Sequence, residues 1–308
     1  MFTIQKLFDI QYPIIQGGMA NVSDYNLAAA VSKAGGLGVI ASGGYSVDEI
    51  RDGIHKIREM TNKPFAVNLQ LGHPKIDEII DMVIEEKVEY VIAGGGNPQP
   101  YFQRWLDGGL KVIPVVGNTK MAKKVESLGA IACIFEGAEA GGHIAALNTM
   151  AVLPGIVDAV SIPVIAAGGI TSGRQMLAAE VLGASGVQMG TRFLAAHETN
   201  VHEKFKEAVL AAEDKDVVVT GYTGHPVRVL KNEMTDEYLK LEKAGGNTNI
   251  DRLMELGTGA SRRASQEGDV ERGSVMVGQG VGLVTKRESV QEIILTTMSE
   301  YETAKTKI

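Results

Sequence analysis

The sequence predicts an α/β fold, a (β/α)8 TIM barrel with a smaller C-terminal cap domain. Three observations point there. Eight short, nearly continuous apolar runs alternate with segments of helical composition, which calls for a parallel sheet covered by helices, and eight strands close a barrel. Gly17, Gly43, Gly72, Gly94, Gly117, Gly137, Gly168 and Gly190 each come at or just after the end of one run. In a barrel those ends share one face, where such enzymes build their active sites and where bare backbone makes room for a ligand. After Arg192-Phe193-Leu194 the alternation stops while a long stretch of chain remains.

Taken in order, Tyr12-Pro13-Ile14-Ile15-Gln16 is an apolar run closed by Gly17-Gly18, and Ser23 leads into a helical stretch, Leu27 to Val31, that stops at Gly35-Gly36. Leu37 to Ala41 is the second strand. Ser46 with Glu49 forms a Ser-x-x-Glu capping box, and Ile50, Ile54 and Ile57 fall on one face of the helix it starts. Further strands are expected at Phe65–Leu69, Tyr90–Ala93, Lys111–Val116, Ile131–Phe135, Pro163–Ala167 and Gly186–Met189. Beyond them, Asp216–Thr220 reads as a strand, Met234–Lys243 and Ile250–Ala264 as helices, and Gly273–Gly282 as a glycine-rich loop. Val290–Tyr301 reads as an amphipathic helix returning to the barrel wall. The expected division is a barrel over 1–214, joined again by 288–308, and a cap over 215–287 lying across its mouth.

Composition excludes several classes. With 308 residues and 44% hydrophobic content the chain can bury a large core. No apolar run approaches the roughly 20 residues that span a bilayer, and Met1-Phe2-Thr3-Ile4-Gln5-Lys6 lacks the regions of a signal peptide, so a cytoplasmic protein without membrane contact is expected. The single cysteine, Cys133, rules out an intrachain disulfide and a CxxC-type metal cluster and is expected to be a small core residue. A formal charge of -7 and a pI near 5.5 argue against a nucleic-acid partner.

The chemistry concentrates in Glu136-Gly137-Ala138-Glu139-Ala140-Gly141-Gly142-His143, directly after a predicted strand. This loop carries two carboxylates and an imidazole, whose unperturbed pKa lies nearest neutrality, and its glycines allow close approach to a flat ligand. His143 is the candidate catalytic residue. Gly168-Gly169, ending the seventh strand, and Gln188-Met189-Gly190-Thr191, ending the eighth, stand where barrels commonly bind phosphate on backbone N–H groups. No GxGxxG follows a strand, and no GxxxxGK[ST], GxSxG or HExxH occurs. What remains suits a flavin mononucleotide enzyme, or an aldolase or isomerase of a sugar phosphate; a Schiff-base aldolase would want a lysine at a strand end, and no strand supplies one.

Seven stretches resemble the nitronate monooxygenase and enoyl-acyl-carrier-protein reductase II family: Gln16–Ala20, Lys63–Asn68, Gly96-Asn97-Pro98, Glu136–His143, Gly190–Phe193, Gly224–Arg228 and Gly273–Gln279. The last two resemble the reductase branch more closely. The resemblance implies an FMN-dependent oxidoreductase in which Gly17, Gly18 and Met19 line the isoalloxazine and Asn68 and Glu136 hydrogen-bond it. It further implies that Gly168, Gly169, Gly190 and Thr191 hold the phosphate, with Gly141, Gly142 and Gln188 completing the cofactor site and His143 facing the flavin. Asn21, His73, Asn97, His225, Met276 and Gln279 are the expected substrate-pocket residues. Asn21 stands where the reductases usually carry an aromatic, and Gln70-Leu71-Gly72-His73-Pro74 replaces a more apolar loop, so the substrate channel is expected to differ.

The implied activity is reduction of a 2-enoyl thioester with NADH or NADPH as transient reductant. The alternatives are oxidation of alkyl nitronates with O2 and a flavin-binding protein without turnover. An acyl-carrier-protein substrate, itself acidic, would need a local basic surface, for which Arg228, Lys231, Arg262, Arg263 and Arg272 are candidates. A homodimer is expected.

Overall fold

The computed structural model describes residues 2–307 apart from 223 and 246–248. Among these described residues eleven strands follow in chain order: β1 (Ile14–Gln16), β2 (Gly38–Ala41), β3 (Phe65–Gln70), β4 (Tyr90–Gly94), β5 (Lys111–Val116), β6 (Cys133–Glu136), β7 (Gly142–His143), β8 (Val164–Ala167), β9 (Gly186–Met189), β10 (Val217–Thr220) and β11 (Val227–Leu230). Eight of them form one parallel sheet in the order β1-β9-β8-β6-β5-β4-β3-β2. A parallel bridge between Ile15 and Leu37 joins its two edges, so the sheet is the expected TIM barrel.

Alternate residues of each strand serve two cores, as the two-residue period requires. Ile15, Val39, Ala66, Ile92, Ile113, Ile134 and Ile165 fill the barrel interior, while Ile14, Ile40, Val67, Val91, Val112, Cys133 and Val187 pack outward among the helices. Burial pushes the Cys133 thiol up to about 12, which leaves it an inert packing group. A short helix over Ile4–Phe8, not anticipated from the sequence, joins the inner core: Phe8 meets Tyr90 edge-on at 5.2 Å, and the Tyr90 hydroxyl donates to the Leu7 carbonyl.

The capping box of Ser46 and Glu49 forms at the start of the Val47–Met60 helix, with Ile50, Ile54 and Ile57 buried. The last helix, Val290–Lys305, buries Val290, Ile293, Ile294 and Tyr301 in the outer core. It lies so close to the Gly173–Val181 helix that a Cβ on Gly173 would sit 2.2 Å from the Thr297 carbonyl oxygen. The Gly173 N–H donates to Glu300, and the Tyr301 hydroxyl donates to Glu180.

Beyond the eighth barrel strand, β10 and β11 pair with each other and with β7, from the loop after β6, in a three-stranded antiparallel sheet. The stretch expected to be one helix over Ile250–Ala264 is two, Ile250–Gly257 and Ala260–Ser265. Gly259, at φ +69°, takes a left-handed backbone that breaks the run. Val22, Leu194, Phe205, Val209, Leu230, Ala264, Val275, Val277 and Val281 form a third apolar cluster, so these segments share a core with the residues just after β9.

Candidate active site

At the end of β1, Gln16 is fully buried and organises the loop that follows. Its Nε2 donates to Ser23 Oγ at 2.8 Å and its Oε1 accepts from Val39 N at 2.9 Å. Ser23 Oγ then donates to the Gly17 carbonyl and accepts from Met19 N. The Gly17-Gly18-Met19 backbone is thereby held against β3, where a Cβ on Gly18 would lie 2.5 Å from that of Asn68. Gln16 is thus a supporting residue that sequence reasoning passed over, although it lies inside one of the matching motifs.

A cavity of about 270 Å³ opens there, at the C-terminal face of the barrel. It brings together Gly17, Gly18, Met19, Asn68, Glu136, Gly141, Gly142, His143, Gly168, Gly169, Gln188, Gly190, Thr191 and Met276. Five glycines of the predicted ring, Gly17, Gly43, Gly94, Gly168 and Gly190, line it. Gly72, Gly117 and Gly137 do not; a Cβ on Gly137 would meet Thr149 Oγ1 at 2.0 Å, so helix packing, not a ligand, demands that glycine. A larger groove of about 620 Å³ lies beyond Gly168-Gly169, but the titratable groups of the loop after β6 that face the smaller cavity, Glu136 and His143, do not line it.

Among the described residues, Glu136 and His143 are the titratable side chains in the cavity lining. Glu136 is half-buried and lines the cavity. Burial raises its pKa from 4.5 to about 7, and no protein group among the described residues hydrogen-bonds its carboxyl. Gln188 Oε1 is likewise buried without a partner. Two polar groups therefore face the cavity unsatisfied, which marks a place for a ligand with its own donors.

The loops after β8 and β9 present backbone. Gly168 and Gly169 adopt φ of +91° and +74°, and a Cβ on Gly168 would stand 2.8 Å from the Gly137 carbonyl oxygen. The N–H groups of Gly168, Gly169 and Gly190 donate to no acceptor among the described residues. Thr191 Oγ1 accepts from Gly278 N at 2.9 Å, tying this loop to the glycine-rich segment above it. Among the described residues no lysine or arginine lines the cavity; Arg192 is buried and turned away onto Glu288 at 2.5 Å.

His143 sits at the exposed rim on β7, opposite Val227 of β11. Partial burial of the ring, with the neighbouring His225 in addition, lowers its pKa below 6.5, so the imidazole is neutral at pH 7. Glu139, in the same loop, is a brace: its carboxylate accepts from Thr149 N and Oγ1, all at 3.0 Å.

Five expected pocket residues lie outside the cavity lining. His73 accepts from Lys75 N on Nδ1 and meets the Tyr45 carbonyl with Nε2, a local turn arrangement. Asn97 is exposed and caps Gln99 N. Asn21, in the left-handed region at φ 60°, donates to Ser261 and accepts from Gln266 on its carbonyl, which joins the first barrel loop to the Ala260–Ser265 helix. His225 is exposed on the loop before β11, and Gln279 faces the larger groove. The lining also holds Gln70, from the loop expected to shape the channel, and Val115 of β5, together with Phe205, Ser261 and Ser274, which only long-range packing brings to the cavity.

Of the candidate basic surface, Arg228 is buried, and Arg263 is engaged with the Leu256, Thr258 and Arg272 carbonyls. Arg262 and Arg272 are exposed, each with a glutamate at long range.

The nitronate monooxygenase family model matches residues 2–300. A solved structure of FabK from Thermotoga maritima superposes with a TM-score of 0.96 at 44% identity, covering 100% of this chain and 98% of that one. A Rhodococcus jostii protein named (3aS,4S,5R,7aS)-5-hydroxy-7a-methyl-1-oxo-octahydro-1H-indene-4-carboxyl-CoA dehydrogenase is 35% identical, over 95% of this chain and 81% of its own. A probable nitronate monooxygenase of Staphylococcus saprophyticus is 34% identical, over 75% of this chain and 78% of its own.

Proposed function

The chain belongs to the nitronate monooxygenase family of oxidoreductases, and from that premise we propose that it is an FMN-dependent enoyl-acyl-carrier-protein reductase II. The observation that carries the reading is the full-length match to FabK, an enzyme of that type, at a TM-score of 0.96. The name of the Rhodococcus relative, which specifies an acyl-CoA, supports a thioester substrate.

FMN, typical of this family, fits the residues present. The free N–H groups of Gly168, Gly169 and Gly190, with Thr191, would hold the phosphate by backbone dipoles instead of side-chain cations. Gly17, Gly18, Met19, Gly141 and Gly142 would lie along the ring system, and Asn68, Gln188 and Glu136 would satisfy its polar edge. When bound, FMN supplies the two-electron redox chemistry between NADH or NADPH and the enoyl double bond.

The chain's own task is positioning. A neutral imidazole at His143 has one N–H to donate to the thioester carbonyl, and it can hold or pass the proton needed at the α-carbon. Glu136, titrating near 7, is able to present either a donor or an acceptor to whatever occupies the cavity. The residues of 215–287, taken as a cap on a barrel of 1–214 plus 288–308, would exclude water from the site; Ile308 lies outside the described residues. The acyl-carrier protein would dock on exposed Arg262 and Arg272 together with Lys231, and the functional unit would be a homodimer in the cytoplasm.

A second reading, nitronate oxidation, is favoured by the Staphylococcus relative; His143, neutral at pH 7, would then act toward the α-position of the nitronate. Anaerobic mixing separates the two. Rapid bleaching of the flavin by NADH or NADPH, followed by recovery of colour with a short enoyl thioester, is the expected result. Bleaching by an alkyl nitronate and not by nicotinamide would overturn the reductase assignment, and response to neither would leave a flavin-binding protein.

A further inference from the structure

Arg228 takes no part in the site as described, yet its setting is costly. The side chain is 8% exposed, and among the described residues it makes no ion pair. Its Nη2 and Nε donate to one acceptor, the Ala138 carbonyl, at 2.8 and 3.2 Å. A buried guanidinium is kept against such a desolvation cost where a fixed fork of donors is needed.

The segment it grips has little rigidity of its own. Between Glu136 and His143 every residue but Glu139 is glycine or alanine, and Gly142, immediately before His143, stands at φ +73°. External contacts must therefore set its path. Ala138 N donates to the Leu147 carbonyl, Gln279 N to the Glu139 carbonyl and Ile144 N to the Pro226 carbonyl. A Cβ on Gly141 would stand 2.5 Å from the Val277 carbonyl carbon, so backbone packs on backbone there. Arg228 itself lies opposite Gly142 in the register of β11 with β7, and it reaches back from that strand to Ala138. It thus closes the loop between the barrel strand bearing Glu136 and the short strand bearing His143.

We propose that Arg228 is a positioning residue that, by its grip on the Ala138 carbonyl, sets the orientation of His143 toward the substrate. The inference rests on the functional reading above for its catalytic consequence, but not for its structural one. Arg228→Met and Arg228→Lys are compared with the wild type in flavin content, in hydrogen exchange of the 139–144 amides, and in the separate nicotinamide and substrate half-reactions. Arg228→Met is expected to keep its flavin and its nicotinamide half-reaction, to lose protection at 139–144, and to slow the substrate half-reaction by about 10²-fold, the scale of a misplaced catalytic group. Arg228→Lys, or guanidinium ion added to Arg228→Met at sub-denaturing concentration, is expected to recover part of both losses. Wild-type exchange and rates in Arg228→Met would overturn the proposal. So would a general loss of flavin and of protection across the chain that neither lysine nor guanidinium repairs. If the wild type turns over neither thioester nor nitronate, the functional reading fails, while exchange at 139–144 and its rescue still decide what Arg228 does.

Discussion

Val227 stands directly opposite His143 in an antiparallel register. The imidazole therefore leaves the barrel by way of the loop after β6 but is held in place as part of a sheet completed by much later chain. Its placement depends on that sheet as much as on the barrel.

His143→Ala is expected to lower turnover by about 10²- to 10⁴-fold, the usual contribution of a general acid or base, while flavin content stays at the wild-type level. Steady-state rates and the absorbance ratio of flavin to protein check both halves. Unchanged rates when the substrate half-reaction limits would make His143 an ordinary rim residue.

The lowered pKa of His143 has a sign that can be read. Because partial burial of the ring and then His225 depress it below 6.5, activity that needs the neutral ring should persist into more acid solution than a histidine at its ordinary pKa would permit. His225→Gln removes a neighbouring positive charge at low pH and should move the acid limb of the kcat profile upward. A limb that does not shift would separate the two histidines.

Glu136 titrates the other way. Its native pKa of about 7 exceeds the ordinary 4.5, so between those values the folded apoprotein keeps a proton that the unfolded chain has released, and stability falls as pH rises through that window. Below it the penalty is absent, and above pH 7 it is complete, at most on the order of 3 kcal/mol. Glu136→Gln should raise the melting temperature of the apoprotein at pH 8 and leave it unchanged near pH 4. Equal effects at both pH values would show that burial is not the cause.

Gln188→Leu removes a buried acceptor without a protein partner. The apoprotein should be as stable as wild type or more so, whereas FMN affinity should weaken by roughly tenfold, the scale of one hydrogen bond. Fluorescence titration of the apoprotein with FMN, paired with thermal melts, tests the opposed signs. Recovery of FAD from the purified protein would remove the cofactor assignment altogether.

Carrier-protein docking predicts that Arg262→Glu with Arg272→Glu raises KM for acyl-carrier substrates and spares a small thioester, with added salt acting in the same direction. Arg263→Glu is a different experiment. That side chain holds three backbone carbonyls, so its reversal should lower the melting temperature and affect both substrates alike. Equal losses in the Arg262 and Arg272 variant would weigh against docking there.

The eight barrel strands and their glycine ends were legible in the sequence because each is a short-range pattern: a run of apolar residues, a turn, a capping box. The same locality made the Gly168-Gly169 and Gly190-Thr191 loops and the Glu136–His143 stretch readable, since their meaning depends on standing just past a strand. Tertiary structure alone decided the rest. Nothing near His143 in sequence announces that β11 will pair with it, and nothing near Arg228 distinguishes a buried grip on Ala138 from a solvated surface charge. The Ile4–Phe8 plug, the diversion of Asn21 to Ser261 and Gln266, and the arrival of Ser261, Ser274 and Phe205 at the cavity all depend on which distant surfaces meet. Periodicity specifies an element and its buried face; the partner for that face is chosen by packing across the whole chain.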